Sequence, residues 1–122
     1  MSQIKIKWLS RPETHDYPAA LSYLTLIYDP KTAAGFVKKL EKAPVSQFKA
    51  KDIFRASQLS LLAAGNSHVK QDIVKIESGN SISPLLLVRD AANGKVVIAD
   101  GYHRLCAVYT FDEDAVIPCQ IV

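Results

Sequence analysis

Residues 96–109 read VVIADGYHRLCAVY, and the change of pattern inside that stretch decides the fold. Val96 to Ala99 is a short apolar run suited to a buried strand. Asp100 and Gly101 punctuate it, and Leu105, Val108 and Tyr109 then recur at helical spacing. A strand that turns through one Asp-Gly pair straight into a helix is a unit of α/β architecture.

Working outward, Leu85 to Val88 follows Pro84 as a second apolar run, and Asn93-Gly94 between the two runs is a strong hairpin signal. Val116 to Val122 closes the chain as a strand, which Pro118 places at a sheet edge because proline offers no donor. Upstream, Asn66 or Ser67 caps a helix in which Val69, Ile73 and Ile76 share a face and Gly79 is the terminator. Lys49 to Ala56 forms a short helix with Ile53 and Phe54 inward, and the segment from there to Leu62 reads either way. Asp29-Pro30 starts a helix whose stripe is Ala33, Phe36, Val37 and Leu40. A first helix runs from Asp16 through Ala20, Leu21, Leu24, Ile27 and Tyr28, with Pro18 in its opening turn, and the alternation Ile4, Lys5, Ile6, Lys7, Trp8 predicts a half-buried strand. The expectation is one α/β (α+β) domain over residues 1–122, with a small mixed sheet and several helices packed on it.

The composition agrees with that expectation. The chain has 122 residues, 48% of them apolar and 22% charged, which is ordinary for one globular core. The net charge of +3 is too mild to argue nucleic-acid binding, although its distribution is uneven. Residues 1–76 hold 12 basic and 6 acidic side chains, whereas residues 77–122 hold 3 and 6. Lys38, Lys39 and Lys42 read as the solvent face of a helix, with an anionic partner for the basic part as the alternative. No apolar run reaches the ~18 residues a bilayer span requires, and no signal-peptide pattern opens the chain, so a cytoplasmic protein without a membrane partner is expected. Two cysteines, Cys106 and Cys119, are too few for a disulfide framework and read as buried thiols, and three scattered histidines lack zinc-ligand spacing.

Chemistry concentrates where the opening stretch turns. A helix start presents unpaired amides and the positive end of the helix dipole, and a glycine beside it lets a ligand approach the backbone. Gly101, Tyr102, His103 and Arg104 are therefore candidate phosphate-binding residues, with Arg104 supplying a guanidinium fork and Tyr102 a face for a base or sugar. Asp100 and His103 are the candidate catalytic pair, and Asp100 is also the candidate magnesium ligand. Asp52, Arg55 and His68 are additional candidates for a shared cleft. The same residues also admit a purely structural reading, with Asp100 capping, Gly101 turning the chain and His103 and Arg104 in a polar network.

The string ADGYHRLCA, preceded by SISPLLLVRDAANGKVVI, resembles the signature of the ParB/sulfiredoxin-like superfamily over roughly residues 72–122. That resemblance implies a nucleotide (ATP, ADP or CTP), with magnesium as a further cofactor, held at the helix start. Tyr102 stands where sulfiredoxins carry their catalytic cysteine, so sulfinic acid reduction is not expected. The chain stops at Val122, where partition proteins continue into a helix-turn-helix, so specific DNA recognition is not expected either. The favoured expectation is a nucleotide-dependent phosphotransferase or hydrolase acting on a small molecule. The alternatives are a non-catalytic nucleotide-switched regulatory module and, third, a DNA-binding protein or nuclease; a homodimer is left open.

Overall fold

The computed structural model describes residues 5–122. In chain order the elements are α1 (Asp16–Leu24), α2 (Pro30–Lys42), β1 (Val45–Lys49), α3 (Ala50–Ser57), α4 (Ser67–Glu77), β2 (Leu85–Asp90), β3 (Lys95–Asp100), α5 (Tyr102–Phe111) and β4 (Val116–Ile121). The four strands form one mixed sheet in the order β1-β4-β2-β3: β1 and β3 pair antiparallel with their neighbours, while β2 and β4 run parallel. This is the small α/β fold the sequence implies.

The unbroken apolar run of β2 has a simple cause, because the sheet is covered on both faces. With side chains alternating along the strand, Leu85 and Leu87 enter a core shared with α3, α4 and α5, whereas Leu86 and Val88 enter a second core shared with α1 and α2. On β3, Ile98 points to the first core and Val97 and Ala99 to the second. Each fully buried leucine of β2 is worth about 1.5–3 kcal/mol relative to an exposed one. The β2–β3 hairpin turns through Ala91–Asn93 and closes on Gly94 at φ +65°, the backbone state for which Asn-Gly sequences are suited.

Capping follows local chemistry. Asp29 accepts from the Thr32 N–H at the start of α2, and Asn66 accepts from the His68 and Val69 N–H groups at the start of α4. At α3 the caps come from afar: the N–H groups of Ala50 and Lys51 donate to the carbonyls of Ala115 and Glu113. Gly79, at φ +78°, follows the end of α4.

Three expectations are corrected. The strand expected over Ile4–Trp8 is absent among its described residues, Ile4 lying outside them. Trp8 makes an isolated parallel bridge to Ile82, and Ile6 and Trp8 still pack on the core, so the alternation reports their facing without a sheet partner. The first helix ends at Leu24 rather than Tyr28, because bonds from Leu26 to Tyr23 and from Ile27 to Leu24 tighten the last turn before Asp29 starts α2. β4 is an interior strand, not an edge. Pro118 lies opposite Gln47 of β1, and pairing with β2 begins one residue later at Cys119, so the missing donor falls outside that ladder. The edge beyond β4 is β1, a strand the sequence does not announce, and β3 is the other edge.

Fully buried Gln120 of β4 ties the second layer together: it accepts from the Tyr17 hydroxyl at 2.6 Å and donates to the Ala43 carbonyl at 2.8 Å. Among the described residues no helix is long and apolar enough to cross a membrane.

Candidate functional site

The turn between β3 and α5 is held by packing from below. Gly101 adopts φ +109°, and a Cβ there would stand 2.7 Å from Leu85 Cγ and 3.0 Å from Arg104 Nη2. Only glycine fits this position, for both conformational and steric reasons. With Gly101 as the N-cap, no side chain caps α5, so its first-turn amides are left without an internal side-chain acceptor.

Arg104 folds back over this turn. Its Nη2 donates to Asp100 Oδ2 at 3.0 Å and to the Pro84 carbonyl at 3.3 Å, and the two side chains are only 17% and 18% exposed. Asp100 therefore spends its carboxylate on Arg104, one helical turn ahead, and acts first as a positioning residue. Arg104 Nε is buried without a hydrogen-bond partner among the described residues. The expected free guanidinium fork is thus half engaged, with one nitrogen carrying both protein bonds.

A carboxylate the sequence reading took only as a helix start completes the network. Asp16, 3% exposed, accepts from the Ser83 hydroxyl and from the Glu13 N–H at 3.0 Å, and its carboxyl is near enough to act on Asp100. Burial pushes the Asp100 carboxyl above its ordinary range; Arg104 opposes that rise and the Asp16 carboxyl adds to it.

A cleft opens around the turn in two lobes that share Asp100, Gly101 and His103. The larger, about 440 Å³, is mostly apolar and is walled by Ala19 and Tyr23 of α1, by Leu59, and by Ile98, Ala99 and Tyr102. Its size falls within the usual range for small-molecule sites, about 300–1,000 Å³. The smaller, about 150 Å³, is polar and is walled by His68, Gln71 and Asp72 of α4 together with Arg104.

The structure brings His68 to the turn: its ring lies 4.8 Å from that of His103, centroid to centroid. Burial lowers the His103 pKa, His68 and Arg104 push the same way, and Asp72 opposes them. His103 is therefore a neutral imidazole at pH 7, able to accept a proton. Tyr102 donates its hydroxyl to the Ser60 carbonyl and presents its ring to the apolar lobe.

Asp52 and Arg55 are not brought to this site. They pair with each other at 3.6 Å, both largely exposed, and Asp52 lines a separate groove with Arg89 and Val96, at the opposite end of β3 from Asp100. The thiols are fully buried as expected. Burial raises the pKa of Cys106 and pushes that of Cys119 up to about 12, so neither is a thiolate nucleophile at neutral pH.

The uncapped amides at the start of α5 suit an anionic group such as a nucleotide phosphate. A magnesium ion bound directly to Asp100 does not suit these residues, since that carboxylate already faces the Arg104 guanidinium. Among the described residues no group of three or more His, Cys, Asp or Glu side chains is gathered to hold a metal. Sequence reasoning missed Asp16, Ser83 and Asp72, because their roles come from contacts across the fold. Comparison with family models, with curated proteins and with solved structures finds no match for this chain.

Proposed function

We propose that the cleft binds a phosphorylated small molecule, most simply a nucleotide, with its phosphate over the first turn of α5 and its apolar part in the larger lobe. The observation that carries this reading is that both lobes meet at a helix start whose amides no side chain caps. Two kinds of donor line it there: the amides of residues 102–104 and the imidazole of His103. The likeness of ADGYHRLCA to the ParB/sulfiredoxin-like signature points the same way.

If phosphoryl transfer or hydrolysis occurs, the chain contributes mainly positioning and electrostatics, as such chemistry requires. His103, neutral at pH 7, is then the general base for an attacking hydroxyl or water, and Arg104, fixed by Asp100, faces the developing negative charge. A non-catalytic nucleotide switch would use the same contacts without turnover.

Thermal shift with ATP, ADP, CTP and GTP, each with and without magnesium, tests the reading. A rise in Tm that His103→Ala abolishes supports it, and no rise with any of them removes it. Release of inorganic phosphate over time separates enzyme from switch.

A further inference from the structure

The polar lobe contains a carboxylate that the phosphate reading does not use. Asp72, on α4, has a side chain only 14% exposed, yet no protein donor hydrogen-bonds to it among the described residues. Its nearest cation is Lys75 Nζ, 4.0 Å away on the same helix, and that side chain is 59% exposed to water. A carboxylate mostly removed from solvent and without a protein donor is left short of hydrogen bonds that a ligand's donors can supply.

The rest of the lobe does not compensate. Arg104 already serves Asp100, and Lys75 is not part of the lining. Apart from the two imidazoles, the lining holds one guanidinium against two carboxylates. Burial raises the Asp72 carboxyl above its ordinary range, against the pull of Lys75, Arg104, His103 and His68.

We propose that the polar lobe binds the ammonium group of a small amine-bearing ligand, with Asp72 as its counter-ion and the imidazoles of His68 and His103 as flanking acceptors. An ammonium carries three donors, and the Asp72 carboxylate together with the neighbouring His68 and His103 rings that line the lobe offers acceptors for them. One carboxylate and two rings are a poor set for a hard divalent cation, which requires several oxygens. This ligand group is distinct from the phosphate at the α5 amides: the two can belong to one zwitterionic molecule or to two neighbouring ones, and neither assignment needs the other.

Titration of ¹⁵N-labelled protein with ethanolamine, alongside ethylene glycol at matched ionic strength, tests it without any nucleotide. Saturable amide shifts around His68, Asp72 and His103 are expected with ethanolamine alone. Asp72→Asn is expected to weaken them at least tenfold while keeping the native spectrum elsewhere, and Asp72→Glu to retain part of the binding. Absence of saturation with the wild-type chain overturns the proposal, as does equal affinity in Asp72→Asn, or an Asp72-dependent response to magnesium chloride in place of ethanolamine. Should nucleotides fail to bind while ethanolamine still does, the phosphate reading alone falls.

Discussion

Arg104 Nη2 lies 3.0 Å from Asp100 Oδ2 across one turn of chain, and the same nitrogen reaches the Pro84 carbonyl at 3.3 Å. The guanidinium thus pins the end of β3, the start of α5 and the residue leading into β2 to one point. Removing it leaves a mostly buried carboxylate beside Asp16 with no counter-charge. Arg104→Ala is expected to cost about 3 kcal/mol, near the lower end for breaking a buried pair by removing one partner. Asp100→Asn keeps an acceptor for Nη2 and is expected to cost less. Urea denaturation of both single variants and the double variant measures the coupling.

Gly101 cannot be replaced cheaply. A methyl at its φ of +109° meets Leu85 Cγ at 2.7 Å, so Gly101→Ala combines backbone strain with overpacking. The expected loss is about 2–5 kcal/mol, from roughly 1–2 for the left-handed backbone and 1–3 for the clash. Adding Leu85→Ala relieves the clash but not the strain, and it opens a core cavity of its own, so the double variant is expected to remain less stable than wild type by thermal denaturation.

The titrating groups of the polar lobe act in opposite directions. Folding raises the Asp72 carboxyl above 3.8 by burial, so the folded chain holds that proton more tightly than the unfolded one. Its contribution to stability is complete below the unfolded value and is lost as pH rises through the raised folded value. Asp72→Asn removes this loss. The variant's stability relative to wild type is therefore expected to grow as pH rises from the ordinary carboxylate value through the raised folded one, and to favour the variant above it. Denaturation curves across that range check the sign.

His103 behaves inversely. Burial lowers its folded pKa below 6.5, so its contribution is present above that value and is lost as pH falls through the folded one. The midpoint of its ring-proton NMR titration is expected below 6.5, and Asp72→Asn, by removing an opposing negative charge, is expected to lower it further.

Much of this architecture is legible because local patterns and tertiary roles coincide. The run Leu85–Val88, the Asn93-Gly94 turn and the Asp29 and Asn66 caps each carry enough local chemistry to place an element. β1 is not legible: in VSQFK only Val45 and Phe48 are apolar, an exposed edge with no period to detect. Pro118 misleads because its missing donor constrains one position of one ladder, and the β4–β2 pairing starts beyond it. The site divides in the same way. Gly101, His103 and Arg104 announce themselves in the β3–α5 turn, but Asp16 reaches Ser83 across 67 residues and Asp72 joins the lobe only because α4 packs on α5. Arg104 shows the deeper limit: sequence gives its charge, while its engagement with Asp100 and Pro84 belongs to the fold.

The most direct measurement is a ¹⁵N amide titration of the folded chain with ADP. Saturable shifts centred on the amides of Gly101, Tyr102, His103 and Arg104, weakened at least tenfold by His103→Ala, are the predicted result. Unmoved amides at these four positions with ADP, ATP and CTP, with and without magnesium, would contradict a phosphate site at the start of α5.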